Sequence, residues 1–443
     1  MNAQPLGQFE DWLPGGGAID LPGADLDWLA TARQRALASA RALGVPTARH
    51  EAWRYTSLKG LIEQAFTPYG AAAPGARPDD LEAHLIAGLD SHRVVLVDGR
   101  FAPGLSDLGD LPAGLRIAGL GQLLSQDPDA LQGRLTGVAG TGAHLFAALN
   151  TVAMRDGLVV LVEPGVRLAR PIELIHLAVG TERPGVAQPR TLIALGEGAE
   201  ATLVERFVGT DEAHCCTNLV GEVALGRAAT LGHYRVQTEG AQTFHISALH
   251  IALESQSRYR GLNVGLGAAW ARTDLVARFA GEGAECDLSG LYLAGDRQLI
   301  DFHLDVDHAV PGCASRERFK GILHGKGRAV FDGRVLVARD AQQSDAEMVN
   351  NNLLLSANAE IDTKPQLEIY ADDVKCSHGT TVGQIEPETL FYLRARGIPA
   401  IEARRMLCLA FAEEILADLR PLGPLHGHVA ELVGARLERV AFD

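Results

Sequence analysis

The stretch Leu299-Ile300-Asp301-Phe302-His303-Leu304-Asp305-Val306-Asp307-His308 carries the clearest signal of the fold. Apolar and polar side chains alternate along it, and a period of two is what a β-strand with one dry face and one wet face requires. We therefore expect a strand whose aspartates and His303 face water while the apolar side chains face a core.

Short turns rich in glycine recur on both sides of this strand. They begin at Gly196, Gly226, Glu254, Gly281, Gly325 and Ala357. Their spacing stays near 30 residues except for one longer step between Gly281 and Gly325. Such a period, carried by strands and tight turns, predicts a β-solenoid with coils of variable length. The competing interpretation is a large β-sandwich, whose strands also recur regularly. We favour the solenoid because whole multi-strand blocks resemble one another.

Helical patterns flank this β-rich segment. A helix is predicted over Asp25–Leu43 and a strand over 93–97, so residues 1–135 form a mixed helical region. The solenoid core is assigned to residues 150–383. Residues 386–443 are predicted to be helical, with a first helix from Pro387 to about Gly397 and a last one over 429–440. The helix between them shows an apolar stripe at intervals of four, formed by Ala403, Leu407, Phe411, Ile415 and Leu419.

Composition narrows the class of protein. The 443 residues carry 40 basic and 55 acidic side chains, a net charge of −15, and form no basic patch of the kind that nucleic-acid binders show. The first basic residue is Arg33, and no apolar run approaches the roughly 18 residues of a membrane span. We therefore expect a soluble cytoplasmic protein without nucleic-acid or membrane partners. Its six cysteines form no CxxC pair, so we expect reduced thiols and no zinc ribbon.

Several catalytic motifs are missing. The run Gly321–Gly327 is similar to a phosphate loop, but it is one residue short and has no Ser or Thr after Lys326 to bind magnesium. Neither a complete GxGxxG nor a GxSxG sequence is present. ATP hydrolysis and dinucleotide redox chemistry are therefore not expected of this chain.

The best candidate for chemistry is the run Asp373-Val374-Lys375-Cys376-Ser377-His378-Gly379. In an extended strand Cys376 and His378 project to one side, while Lys375 and Ser377 face away. A thiolate beside an imidazole can bind iron, zinc or the edge of a cluster, and Lys375 with a protonated His378 would favour the thiolate. One Cys–His pair lacks a full ligand set. The alternative is a packed cysteine beside a surface histidine.

A second constellation on the expected wet face of the opening strand is formed by Asp301, His303, Asp305, Asp307 and His308. Clustered carboxylates on a β-solenoid could cleave carbohydrate or bind calcium. The alternative is a solvated face of an ordinary amphipathic strand.

At this point the sequence resembles a known family, the SufB/SufD proteins of iron–sulfur cluster assembly. The likeness runs from about residue 50 to the end and is strongest over 365–398. Within that block, Lys375–Gly379 and the helix containing Leu390-Phe391-Tyr392-Leu393 look more like the SufD branch than the SufB branch. Other matching stretches are Glu51–Thr56, Ala148–Asn150 with Gly157–Pro171, Phe319–Ile322 and Asn350–Ser356.

The resemblance implies a right-handed parallel β-helix flanked by helical regions. It implies a subunit without catalysis of its own, working with a SufB-like subunit and a SufC-like ATPase to build and transfer clusters and to assist iron acquisition. Cys376 and His378 would lie at the contact with the SufB-like subunit, where a transient cluster forms, and no cofactor would be bound tightly by the isolated chain. The helical tail would dock the ATPase through Tyr392, Arg396, Gly397, Arg404 and Arg405. Alone, the chain could pair with itself. A carbohydrate-active β-helix enzyme and a purely structural β-helix partner remain the alternatives.

Overall fold

The structure is a computed structural model that describes residues 6–14, 21–69, 75–142, 144–180, 183–210, 212–440 and 442. The N-terminal part mixes short helices with strands. Its helices are α1 (Asp27–Leu43), α2 (Lys59–Ile62), α3 (Pro78–Glu82), α4 (Leu120–Gln126) and α5 (Leu145–Ala153). Its strands are β1 (Thr67–Pro68), β2 (His92–Val97), β3 (Arg100–Phe101) and β4 (Leu115–Gly119). Short 3-10 helices lie at Gly7–Trp12, Glu51–Trp53 and Pro128–Ala130.

From residue 157 to residue 383 the described chain is built of strands joined by turns. These are β5 (Gly157–Val162), β6 (Ile172–Ala178), β7 (Gly185–Ala187), β8 (Arg190–Leu195), β9 (Glu200–Gly209), β10 (Cys215–Leu225), β11 (Thr230–Gln237), β12 (Phe244–Leu253), β13 (Arg258–Gly265), β14 (Trp270–Phe279), β15 (Glu285–Ala294), β16 (Leu299–His308), β17 (Ala314–Leu323), β18 (Arg328–Val337), β19 (Asp345–Leu354), β20 (Glu360–Ile369) and β21 (Lys375–Gly383).

The strands form two sheets, and from β8 onward successive strands alternate between them. Sheet A runs β20-β18-β16-β14-β12-β10-β8-β5-β4, and sheet B runs β21-β19-β17-β15-β13-β11-β9-β6-β2-β3. Neighbouring strands from β5 to β21 pair in parallel, and the coil length follows from their registers. Phe244 pairs with Trp270 and Gly157 with Arg190, so one turn takes 26 to 33 residues. Parallel pairing at this period confirms a β-solenoid of about seven coils and excludes the sandwich.

The longer step between Gly281 and Gly325 has a simple structural origin. The turns at Gly196, Gly226, Glu254 and Gly281 lead from sheet A to sheet B, whereas those at Gly325 and Ala357 lead from sheet B back to sheet A. The sequence pattern therefore mixed two sets of turns. Within each set the spacing stays close to one coil.

Two kinds of apolar contact stabilise the solenoid. Between the sheets, inward side chains such as Leu275 and Phe302 of sheet A meet Leu288 and Phe319 of sheet B. On the outside, the N-terminal region covers sheet A through a cluster that includes Trp53, Phe146, Ile246 and Trp270. The C-terminal helices cover sheet B through Ile415, Leu419, Val429, Leu262 and Leu291. Both outer faces are thus shielded by residues distant in sequence.

The tail is helical, as predicted: α6 (Pro387–Arg394), α7 (Ala400–Leu416) and α8 (Gly423–Glu438), with a 3-10 turn at Ala417–Leu419. Gly397 follows α6 with φ of 85°, a conformation that glycine adopts readily at a helix end. The last helix begins earlier than predicted, because Pro424 occupies its first turn, where no N–H is needed.

The predicted stripe on α7 is wrong in part. Leu407 and Phe411 are only half-buried, and Cys408, Ala412 and Leu416 are buried instead. A helix has 3.6 residues per turn, so positions spaced strictly by four drift around its surface. Within the described ranges, no helix has the length and apolar character needed to cross a membrane.

Candidate functional site at the open end of the solenoid

The last coil leaves both sheets with a free edge. Among the strands that the structure describes, β20 pairs only with β18 and β21 only with β19, and nearly all of β21 is exposed. The Lys375 N–H donates to the carbonyl of Ser344, the residue just before β19. Main-chain groups alternate in direction along a parallel strand, so the N–H and C=O groups of Cys376, His378 and Thr380 point to the open edge.

Cys376 and His378 share the interior face of this last coil. In register, Cys376 lies beside Ala346 and His378 beside Met348, and both partners belong to the core between the sheets. The Cys376 side chain packs against that core, whereas His378 is exposed. The structure therefore brings the two predicted side chains to one face, at the mouth of the solenoid.

The other two residues of the motif face outward. Lys375 lies in register with Asp345 and Ser377 with Glu347, and these two carboxylates meet Arg316 on the outer surface, at 2.8 and 3.7 Å. Partial burial raises the pKa of the Cys376 thiol. The expectation that Lys375 favours the thiolate is therefore wrong, because the strand places its ammonium group on the opposite face.

The aspartate row is solvated only in part, because Asp305 and Asp307 are partly exposed and Asp301 is buried. Asp301 is 1% exposed and accepts hydrogen bonds from Thr56 Oγ1 and from Arg272 Nη1, the latter at 3.3 Å. The N-terminal segment lies over this part of the strand and excludes water. Further along, Arg334 Nη2 donates to both oxygens of Asp305, at 2.9 and 2.8 Å, and Asp307 lies 3.6 Å from Arg278. Each carboxylate of the row is therefore paired with an arginine.

The residues predicted to dock an ATPase lie on the helical tail in different environments. Tyr392 is exposed, and the Arg396 guanidinium stacks over its ring at 3.4 Å from the centroid. Arg404 is half-buried. Arg405 Nη2 donates at 2.9 Å to the carbonyl of Glu438 at the end of α8, so its visible role is to join two helices.

Sequence reasoning missed an apolar surface on the same helices. Phe391 is 73% exposed and Ile401 55% exposed, and Met406 and Leu409 are exposed as well. Large apolar side chains in the open are a sign of a contact surface. The sequence did contain a signal for this surface: the tail has large apolar residues at helix positions outside its buried face.

Among the described residues, no group of three or more His, Cys, Asp or Glu side chains could hold a metal ion.

Comparison with known proteins defines the class. The profile described as "SUF system FeS cluster assembly, SufBD core domain" matches residues 177–411, and "SufBD protein N-terminal region" matches residues 21–174. The core match covers more than half of the chain and spans most of the solenoid and the start of the helical tail. The chain belongs to the SufBD family of iron–sulfur cluster assembly proteins.

Individual relatives agree with this assignment. The chain is 36% identical to the iron–sulfur cluster assembly protein SufD of Escherichia coli, over 89% of this chain and 90% of that protein. It is 34% identical to an iron–sulfur cluster assembly SufBD family protein of Synechocystis, over 92% of this chain and 91% of the relative. A chloroplastic protein of Arabidopsis thaliana, ABCI7, is 34% identical over 73% of this chain and 69% of its own length.

Proposed function

We propose that this chain is a non-catalytic scaffold subunit of a SUF assembly complex, in which Cys376 and His378 supply two ligands to a nascent iron–sulfur cluster. The observation that carries this proposal is their placement. A thiol and an imidazole share the interior face of a coil whose edge is unpaired. The cluster is cargo, bound in transit, and a SufB-like partner supplies the remaining ligands.

The open edge offers the means to bind that partner. A strand with unpaired N–H and C=O groups pairs readily with another strand. A SufB-like subunit built on the same kind of coil could continue both sheets across the contact, which would bring its own ligands opposite Cys376 and His378. In the absence of such a partner, a second copy of the chain could use the same edge.

The helical tail is the proposed docking surface for a SufC-like ATPase. Phe391, Tyr392 and Ile401 are exposed there, and aromatic side chains commonly anchor protein interfaces. Nucleotide chemistry then belongs to the partner, in keeping with the missing phosphate loop of this chain. We expect the docking region to include Arg396, Gly397 and Arg404 beside these apolar groups.

The tail has a direct mechanical connection to the solenoid. The Lys320 ammonium of β17 bonds to Glu414 and lies 4.2 Å from the centre of the Phe411 ring. Arg318 of the same strand lies 2.9 Å from Asp418. Since β17 is separated from β21 by one strand, movement of the helices driven by the ATPase could reshape the open end and admit iron and sulfide.

Co-purification under anaerobic conditions tests the proposal. The full chain, tagged and isolated from its native host, should retain a subunit of the same fold and an ATPase. The complex should gain the visible absorption of an iron–sulfur cluster after iron and sulfide are added. A chain that is isolated alone and stays colourless would contradict it. A stable complex that never binds iron would favour the purely structural alternative.

A further inference from the structure

One buried carboxyl group has no role in the fold described so far. Glu317 lies on the interior face of β17 and is 0% exposed, and neither of its carboxyl oxygens has a hydrogen-bond partner among the described residues. Burial raises the pKa of Glu317 to about 8, so the group is protonated at neutral pH. An unpaired buried polar group destabilises a protein, whereas an apolar residue at this position would fill the same space without that cost.

Its position relates it to the open end. Glu317 is in register with Met348, which is in register with His378. Ser315, two residues earlier on the same interior face, is likewise in register with Ala346 and through it with Cys376. Glu317 and Ser315 thus lie two strands beneath the proposed ligands, at about 10 Å, because adjacent strands are about 4.8 Å apart. Only a methyl group and a thioether chain fill the intervening layer.

The groups around Glu317 leave it without a permanent counter-ion. On the next strand inward, the neighbouring titratable side chain is the Cys286 thiol, whose pKa is raised well above its usual range by burial. On its own strand, the Ser315 hydroxyl pairs with His308 Nε2 at 3.0 Å, and burial lowers the pKa of His308 to about 4. Burial has the largest effect on the pKa of Glu317; the neighbouring Ser315 hydroxyl and then Arg316 lower this pKa to a smaller extent, and Asp287 raises it. At neutral pH its nearest interior neighbours are therefore uncharged.

We propose that Glu317 is an inner acidic group of the open-end site, which releases its proton when a cation occupies Cys376 and His378 and thereby balances the added charge. In this step the O–H bond of the carboxyl group breaks, the proton passes to solvent, and no electron moves. Glu317 acts on the bound metal by electrostatic interaction over a distance and not by contact, so it is a positioning residue and not a ligand.

The expected coupling is moderate. One unit of positive charge at about 10 Å, in a medium of effective dielectric constant about 20, favours the ionised carboxyl group on the order of tenfold. By linkage, ionised Glu317 strengthens cation binding by the same factor. The inference rests on the proposed function, because it assumes that Cys376 and His378 bind the cation.

Cobalt(II) binding to the chain in complex with its partner subunit is the direct test, with the metal alone as the probe. Infrared difference spectra at pH 7 should show that a protonated carboxyl band of the wild type loses roughly half of its intensity when cobalt is added, because a tenfold coupling ionises about half of the Glu317 groups at this pH. This change should be absent from Glu317→Gln. The ratio of wild-type to Glu317→Gln cobalt affinity should rise roughly fivefold to tenfold between pH 6 and pH 8.5. Glu347→Gln, which removes an exposed carboxylate from the strand nearer the site, should behave like the wild type.

The outcomes separate the two claims. If Cys376→Ser and His378→Ala abolish cobalt binding, but Glu317→Gln keeps the pH dependence of the wild type, the inference about Glu317 is wrong and the proposed site stands. If the wild type binds no cobalt, or those two variants still bind it, the proposed site is wrong and the role of Glu317 falls with it. The infrared change in the wild type needs no variant to fold, and its absence alone would overturn the inference.

Discussion

The guanidinium carbon of Arg272 lies 3.9 Å from the centre of the Trp53 ring. The same group donates to the Ala52 carbonyl at 2.6 Å and to both oxygens of Asp274, at 3.0 and 2.8 Å. The segment Glu51–Thr56, which carries part of the family likeness, is therefore held on the outer face of sheet A by one buried cation. Its visible role is to attach the N-terminal region to the solenoid.

Replacing Arg272 should be costly. Arg272→Leu leaves Asp274 and Asp301 buried without their cation, and breaking a buried pair in this way lowers the free energy of unfolding by about 3–5 kcal/mol. Urea denaturation followed by circular dichroism measures the loss. Arg278→Leu is the matched control, because Arg278 is exposed and pairs with Asp307 at the surface. If Arg272→Leu lowers the free energy of unfolding no more than this control does, Arg272 does not attach the N-terminal region to the solenoid as described.

The stability of the chain should depend on Glu317 in a particular direction. Its folded-state pKa, about 8, lies above that of an exposed glutamate near 4.3. Between these values the folded state binds more protons than the unfolded state, so the contribution of Glu317 to stability falls as pH rises through this window and is constant above pH 8. As pH rises from 4.5 to 8, the free energy of unfolding of Glu317→Gln should therefore increase by roughly 3–5 kcal/mol relative to that of the wild type.

This prediction is checked by denaturant titrations of both proteins at several pH values. The pH dependence of the difference matters and not its absolute size, because glutamine also leaves a buried polar group unpaired. Glu347→Gln provides the control for general charge effects. Parallel pH profiles for the wild type and Glu317→Gln would show that Glu317 is ionised in the folded protein at neutral pH.

The open edge can be blocked without unfolding the last strand. Thr380→Pro removes an N–H that points to the free edge, so the pairing of β21 with β19 persists and stability should change by less than about 1 kcal/mol. Binding of the partner subunit should weaken at least about tenfold, since proline cannot donate to an added strand. Thr380→Ala should bind normally. Biolayer interferometry measures the affinity of each variant for the partner subunit. Unimpaired binding of Thr380→Pro would exclude strand pairing at this edge.

Proline at the adjacent position, Thr381, should instead affect the stability of the last coil. The N–H of Thr381 points toward β19, so Thr381→Pro should remove a ladder hydrogen bond and destabilise the last coil by about 1–3 kcal/mol. Hydrogen exchange of β21 measures this effect. Equal protection in the two proline variants would mean that the assigned alternation of main-chain groups is wrong.

The exposed aromatic pair on α6 should carry the affinity for the ATPase. Phe391→Ala and Tyr392→Ala should leave stability within about 0.5 kcal/mol, because both side chains are largely exposed. Each should weaken ATPase binding by about 2 kcal/mol, or roughly thirtyfold, if it anchors the contact. Tyr370→Ala is the control, since Tyr370 is equally exposed but lies between β20 and β21. Calorimetric titration of the purified subunits distinguishes the two surfaces.

Much of the fold could be predicted from local patterns. The alternation of Ile300, Phe302, Leu304 and Val306 indicated which side chains enter the core, and all four are buried. The recurring turns indicated coils because each coil needs the same strands and the same tight turns between them. The placement of Cys376 and His378 on one face followed from strand geometry alone.

What could not be predicted depends on contacts between distant parts of the chain. Asp301 was expected in water but is covered by Thr56, which is 245 positions away. The isolated Glu317 gave no signal, since a charged residue within a strand normally indicates an exposed face. Its burial follows from the register of β17 between β15 and β19, which the sequence pattern does not specify.

Iron and acid-labile sulfide per complex, measured after anaerobic purification of the chain with its partners, test the central claim most directly. Cys376→Ser and His378→Ala alter side chains at the uncovered end, so stability should change by less than about 1 kcal/mol and the complex should still form. We predict that both variants lose most of the bound iron and sulfide, while Ser377→Ala, on the opposite face, retains the wild-type content. Wild-type iron and sulfide in both Cys376→Ser and His378→Ala would contradict the assignment of the cluster site.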